Sequence, residues 1–109
     1  MRIEIPPMTE DKFQSRTVEL ARACGWEVYH TFDSRRSEPG FPDLVMVQGR
    51  VIAFVECKTD TGKLTAAQSR WMDKLHTAAT DPKGRVYTRV WRPSHTEEIE
   101  KFLTEKGGR

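Results

Sequence analysis

The sequence predicts an α/β fold: a four-stranded mixed sheet flanked by helices, in the order α-β-β-β-α-β-α. Three observations predict it. Apolar residues recur at helical spacing in three segments, short runs rich in β-branched and aromatic residues lie between them, and glycine- or proline-containing turns separate the runs. A length of 109 residues fits one domain, so we expect residues 1–109 to form a single unit.

Each of the three predicted helices begins at a residue that can cap it. Thr9 precedes the first helix, whose apolar stripe ends at Gly25. The second is predicted over residues 65–79 and also begins at a threonine. Ser94 followed three residues later by Glu97 is the capping-box pattern that predicts the start of the third.

The strands are predicted from β-branched and aromatic runs. The third of them is apolar on both faces, which is typical of a strand covered on both sides, so we expect it in the middle of the sheet. A turn at Gln48 and Gly49 separates it from the second. The four predicted strands cover residues 26–32, 42–47, 51–58 and 85–91.

Composition excludes several classes of protein. Hydrophobic residues make up 37% of the chain and charged residues 31%, and no apolar run approaches the roughly 20 residues of a membrane span. The N-terminus lacks the pattern of a secretory signal, which favours an intracellular protein with no membrane partner. Cys24 and Cys57 have neither CxxC spacing nor a histidine cluster, so they are interpreted as core residues.

Two carboxylates and a lysine lie where the second and third predicted strands meet. Asp43 follows a proline at the start of one strand, and Glu56 and Lys58 close the other. Glu56 and Lys58 are two residues apart and therefore point to the same face. Asp43 joins them only if a two-residue loop, at Gln48-Gly49 or Gly49-Arg50, sets the hairpin register.

Two carboxylates at the end of a buried strand cost several kcal/mol unless something neutralises them. Lys58 offsets part of that cost, and a divalent cation would offset the rest. Acidic ligands without histidine or cysteine favour Mg²⁺, with Mn²⁺ as an alternative. Such a site can activate water for attack on a phosphodiester. The alternative interpretation is a strand-opening turn at Asp43 and a separate edge ion pair between Glu56 and Lys58.

Three motifs contain this cluster and extend it. They are Gly40-Phe41-Pro42-Asp43-Leu44, Glu56-Cys57-Lys58, and Gly62-Lys63-Leu64-Thr65 with Gln68 and Trp71. They resemble the PD-(D/E)XK nuclease superfamily and, within it, the VRR-NUC domain in the stand-alone form of phages and bacteria. The resemblance covers nearly the whole chain, including the pattern of Glu10, Phe13 and Gln14 on the first helix. It implies a restriction-endonuclease-like core and a metal-dependent endonuclease that acts on DNA.

The resemblance also implies roles for individual residues. Asp43 and Glu56 match the metal-ligand positions and Lys58 the catalytic lysine. Glu10 matches an acidic position on the first helix and would be a third metal ligand, although an acid in a first helical turn is equally explained by the helix dipole. Gln68 matches a polar catalytic position on the second helix; otherwise it is a surface residue of that helix.

Four residues are candidates for contact with DNA. Arg35 and Arg36 precede the hairpin, and a guanidinium can bind phosphate in a bidentate manner, although loop arginines are often only solvated. Lys63 lies beside the start of the second helix, where anions are favoured. Gln14 shares a helix face with Glu10 and can bind a ligand or a neighbouring helix residue.

Stand-alone VRR-NUC proteins resemble Holliday junction resolvases, which implies a branched DNA substrate, most simply a four-way junction, in the cytoplasm of a bacterium or of a phage-infected cell. Cutting a junction needs paired nicks, and one domain carries one cluster, so we expect a homodimer. Related nucleases that cut flaps or nicked duplex leave the substrate open. A non-catalytic module that binds branched DNA is the competing class, and a protein adaptor has no positive feature.

Overall fold

The structure is a computed structural model that describes residues 8–31, 37–80 and 82–106. The α/β class and the order α-β-β-β-α-β-α are confirmed. The elements are α1 (Glu10–Ala23), β1 (Glu27–His30), β2 (Leu44–Gln48), β3 (Val51–Cys57), α2 (Ala66–Ala78), β4 (Val86–Trp91) and α3 (Thr96–Glu105), with a short 3₁₀ helix at Pro93–His95 before α3.

The sheet is mixed and has the order β1-β2-β3-β4. The first three strands are antiparallel neighbours, whereas β4 runs parallel to β3. A parallel pair needs a long crossover, and α2 supplies it. The predicted central position of the third strand is confirmed, because β3 pairs with both β2 and β4.

One side of the sheet, here named the covered face, packs against α1 and α3. Phe13, Val18 and Ala21 of α1 and three residues of α3 meet it in one buried core. Trp26 joins the layers, since its ring stacks on Phe102 and its Nε1 donates to the Leu103 carbonyl at 3.0 Å. The sheet residues of this face are Leu44, Met46, Ala53, Val55, Cys57 and Trp91.

The other side, here named the open face, is covered only in part. On this face α2 contacts the sheet, and its His76 Nδ1 lies 3.2 Å from Thr88 Oγ1 of β4. Towards β1 the face is bare enough that Tyr29 is 65% exposed and Val47 40% exposed. The alternating residues of the hairpin that lie on this face are Val45, Val47, Ile52 and Phe54.

The predicted start of the last helix is wrong. Ser94 lies in the 3₁₀ helix Pro93–His95, and α3 follows His95, which provides no side-chain cap. The Ser94 backbone N–H donates to Asp60 Oδ1 at 2.9 Å, so a residue from a distant loop binds this part of the chain. The first strand is also shorter than predicted, because Trp26 precedes β1 and is buried in the core.

Within the described ranges, each helix is too short or too polar to cross a lipid bilayer. Cys24 and Cys57 are both free thiols, and Cys57 is fully buried on the covered face. The interpretation of the cysteines as core residues is therefore confirmed for Cys57, whereas Cys24 is only half-buried against the core.

Candidate active site

The hairpin register brings the two strand carboxylates together. Gln48 pairs with Val51 across the two-residue loop Gly49-Arg50, and Leu44 pairs with Val55. One step further along the same register, Asp43 lies opposite Glu56 and on the same face. Gly49 has φ 58°, the positive value that tight two-residue hairpin turns require at their first position. The predicted parity of the hairpin is therefore confirmed.

Asp43 lies at the end of the β2–β3 ladder. Its Oδ2 accepts a hydrogen bond from the Cys57 backbone N–H at 2.9 Å, so the side chain takes the place of a backbone partner. On its other side, its carbonyl accepts from the Thr31 N–H at 3.4 Å. The carboxylate is half-buried and held on both sides by neighbouring chain.

Gly40 and Phe41, in the segment before Asp43, lie against α2. Gly40 has φ +93°, and a Cβ there would lie 2.4 Å from the backbone carbon of Ala67, so only glycine fits. The Phe41 ring packs edge-on against Trp71, with centroids 5.2 Å apart. Pro42 is fully buried. These contacts explain the residue types in the Gly40-Phe41-Pro42-Asp43 motif.

Glu56 is the buried carboxylate of the site, with 0% relative exposure. Its Oε2 accepts from Gln68 Nε2 at 3.1 Å, whereas Oε1 is buried and has no hydrogen-bond partner among the described residues. Burial, followed by the repulsion of Asp43, raises the pKa of Glu56 to about 8. A buried carboxylate with one unsatisfied oxygen calls for a cation or a proton.

Lys58 lies one residue beyond the end of β3 and is 7% exposed. Its Nζ is 4.0 Å from Glu10 Oε1 and 4.0 Å from Glu56 Oε2. The ammonium therefore lies between the helix acid and the strand acid. Its attraction lowers the pKa of Glu56, but by less than burial and Asp43 raise it.

Glu10, at the first position of α1, completes an acidic cluster with Asp43 and Glu56. One carboxylate oxygen from each residue lies within 4.8 Å of the other two. Three oxygen donors at this spacing, without histidine or cysteine, fit Mg²⁺ or Mn²⁺. The unpaired Glu56 Oε1 is an independent sign of fit, since a bound cation would satisfy it.

The two glutamines lie where the sequence places them, beside the acids. Gln68 closes a capping box with Thr65, in which its Oε1 accepts from the Thr65 N–H at 2.9 Å while its Nε2 donates to Glu56. Gln14 lines a cavity of about 220 Å³ together with Glu10 and Asp43. The start of α2 and one face of α1 thus form two walls of the site.

The remaining candidates are not brought to the acids in the same way. Lys63 is exposed in the loop before α2. Arg35 and Arg36 lie outside the described residues. Asp11 and Thr31 also line the cavity beside the acids, but they were not among the site residues predicted from the sequence. Asp11 had one signal, its place beside Glu10 in an acidic first turn.

Comparison with known proteins agrees with this geometry. The sequence model of the VRR-NUC domain matches residues 7–87, well over half of the chain. The chain belongs to the VRR-NUC domain family. A solved structure described as a VRR_NUC domain is similar at a TM-score of 0.62 and 25% identity, over 90% of this chain and 98% of that one. A search of curated proteins gives no match.

Membership of the VRR-NUC family indicates the general class of the protein. A VRR-NUC domain has a nuclease-like fold, and the four-stranded sheet with its flanking helices is consistent with the PD-(D/E)XK superfamily. A nuclease domain implies DNA as the partner. The cluster of Glu10, Asp43 and Glu56 is a possible metal site within that fold.

Proposed function

We propose that this protein is a metal-dependent, structure-specific endonuclease that hydrolyses DNA phosphodiesters, with a four-way junction as its leading substrate. The observation that carries the proposal is the buried Glu56, which has one oxygen without a protein partner beside two other carboxylates and a lysine. A cluster that served only stability would pair its buried oxygens within the protein.

Each side chain has a distinct role in the proposed reaction. Asp43, Glu56 and Glu10 would hold Mg²⁺ or Mn²⁺ through oxygen. Such an ion, when bound, lowers the pKa of a water molecule and offsets charge on a phosphate. Lys58 Nζ, within 4.0 Å of two of these acids, orients the attacking water by donating a hydrogen bond. Gln68 fixes the rotamer of Glu56 through its 3.1 Å hydrogen bond.

DNA reaches the site through the polar cavity beside the acids. Gln14 lines it and can donate a hydrogen bond to a phosphate or sugar oxygen. Lys63, exposed near the first turn of α2, supplies a positive charge for the backbone. Arg35 and Arg36 have the same proposed role, on the basis of their place in the sequence.

A homodimer is the proposed assembly, and the open face supports it. Tyr29 and Val47 expose apolar surface there, and Val47 lies on the same face of β2 as Asp43. Pairing of two copies through these strands would bury that surface. It would also supply two active sites, one for each strand to be cut. We place the protein in the cytoplasm, where such DNA would be encountered.

The deciding experiment is a cleavage panel. Labelled four-way junction, flap, splayed arm and linear duplex are incubated with the protein, with and without Mg²⁺. We expect cleavage only with Mg²⁺ and fastest on the junction. Binding without cleavage under all metal conditions would instead identify a non-catalytic DNA-binding module, and faster cutting of the flap would reassign the substrate.

The dimer has its own measurement. Sedimentation equilibrium at micromolar concentration should give twice the chain mass, and Val47→Glu should give the monomer because a charge would be buried at the interface. Lys101→Glu, which places the same charge at an exposed position of α3 on the other side of the sheet, is the control. A wild-type monomer that still makes paired cuts would contradict the proposed assembly.

A further inference from the structure

The loop over residues 59–62, which joins the end of β3 to the approach to α2, is held by one arginine. Arg92 Nη1 donates to the carbonyl of Thr59 at 2.5 Å and to the carbonyl of Gly62 at 2.7 Å. Both acceptors are backbone groups, and they stand at the two ends of the loop. A single half-buried guanidinium group therefore joins the two ends of the loop.

The same loop has a second attachment to the chain around Arg92. Asp60 Oδ1 accepts from the backbone N–H of Ser94 at 2.9 Å, and this hydrogen bond lowers the pKa of Asp60. The loop also closes on itself, since the Gly62 N–H donates to the Thr59 carbonyl at 3.3 Å. The segment between β4 and α3 thus binds both the backbone of this loop and the side chain of Asp60.

Lys58 depends on this loop for its position. Its own N–H donates to the Trp91 carbonyl at 3.0 Å, and beyond that point the strand pairing ends at Cys57 and Trp91. The next fixed carbonyl is that of Thr59, which Arg92 binds. Trp91 and Arg92 therefore restrain the backbone on either side of the lysine. The long Lys58 side chain must reach two carboxylates at 4.0 Å from this restrained base.

We propose that Arg92 is a positioning residue for the nuclease reaction, and that it acts by fixing the 59–62 loop so that Lys58 Nζ stays between Glu10 and Glu56. The inference rests on the proposed function, because it assigns a contribution to the same site. Arg92 touches none of the three acids in the described contacts. Its effect therefore falls on the placement of the lysine and not on the metal ligands.

Arg92→Met tests this assignment, because it keeps an apolar stem and removes the donors. We expect kcat for junction cleavage to fall about 100-fold, the cost of a misplacement of about 1 Å in a catalytic group. KM for DNA, and the affinity and stoichiometry of Mn²⁺ binding measured in the absence of DNA, should stay at wild-type values. Arg92→Lys, which keeps a cationic donor, should recover most of the lost kcat.

Asp60→Ala is the second variant and changes an exposed side chain, so the fold is retained. Loss of its one hydrogen bond should lower kcat about tenfold, again without a change in Mn²⁺ stoichiometry. Arg89→Met is the matched control: Arg89 is half-buried, as Arg92 is, and lies on β4. It donates to the Thr88 carbonyl at 2.8 Å and lies over Tyr87, and among the described residues its hydrogen bonds do not reach the loop. It should retain wild-type kcat.

The outcomes separate the two proposals. Wild-type protein that cuts DNA, together with an Arg92→Met variant of equal kcat, would overturn the role of Arg92 alone. A parallel loss of Mn²⁺ sites and kcat in Arg92→Met would also overturn it, because the arginine would then support the whole fold. Wild-type protein that cuts no DNA with Mg²⁺ or Mn²⁺ overturns the proposed function, and the role of Arg92 with it.

Discussion

The covered and open faces of the sheet are made by the same strands, yet they differ in what they bury. Leu44, Val55 and Cys57 are at 0% exposure on the covered face, and their side chains belong to the apolar core. Asp43 and Glu56, each one residue away along the chain, point to the open face. Adjacent positions therefore contribute in turn to the apolar core and to the acidic cluster.

The difference shows why the acidic cluster is tolerated. Apolar packing with α1 and α3 stabilises the covered face, so the open face can hold a buried carboxylate that is only partly compensated. The apolar side chains that remain exposed on the open face lie on the strands that lead to the site. Substitutions on the covered face should consequently lower the free energy of unfolding, whereas substitutions in the acidic cluster of the open face should lower cleavage activity.

The largest expected effect is on catalysis and belongs to the open face. Asp43→Asn should reduce cleavage by about 1,000-fold or more, because an amide is a poor ligand for a divalent cation. Junction binding measured by gel shift should be largely unchanged. Asp73→Asn, the same substitution at an exposed position of α2 outside the acidic cluster, is the matched control and should keep wild-type cleavage. Full activity in the Asp43→Asn variant would rule out the assigned site.

The next largest effect is on stability and contrasts the faces directly. Leu44→Ala should lower the free energy of unfolding by about 3 kcal/mol, since it opens a cavity in the covered face. Val47→Ala, on the same strand but 40% exposed, should change the unfolding free energy of the monomer by no more than about 0.5 kcal/mol. Urea titration at low protein concentration measures both. Equal losses would show that the open face is packed as tightly as the other.

A smaller effect concerns pH. In EDTA the folded protein keeps a proton on Glu56 up to about pH 8, whereas the unfolded chain releases it near the ordinary pKa of 4.5. The folded state thus binds more protons between these values, and the free energy of unfolding should fall as pH rises from about 5 to 8, by a few kcal/mol at most. Glu56→Gln should remove this slope, and Mg²⁺ should oppose it. An identical slope in the variant would contradict the expectation.

Much of this arrangement was predictable because it depends on local rules. The parity of the hairpin follows from a two-residue turn with glycine, and the cap at Thr65 follows from its spacing to Gln68. The start of α3 was not predictable, because Asp60 binds the Ser94 amide across 34 residues. Such a contact is set by tertiary packing, for which the pattern around Ser94 carries no signal.

The hydrogen bonds of Arg92 also could not be predicted from the sequence. Its acceptors are backbone carbonyls, which every residue type has, so the hydrogen bonds leave no side-chain signal at Thr59 or Gly62. A sequence pattern shows which side chains are present. In this contact only the donor, Arg92, is a side chain. The acids and Lys58 could be selected from the sequence for the opposite reason, since the chemistry proposed for them depends on their residue types.

The bond between Asp43 Oδ2 and the Cys57 N–H makes a proposed metal ligand the last rung of the β2–β3 ladder. The ligand set therefore comes together only when the hairpin has closed in register. A cation that binds there would stabilise the closed hairpin and raise the melting temperature with the logarithm of its free concentration above its Kd. Metal binding and closure of the hairpin are thus thermodynamically linked. Melting temperatures measured at a series of Mn²⁺ concentrations would show the strength of this linkage.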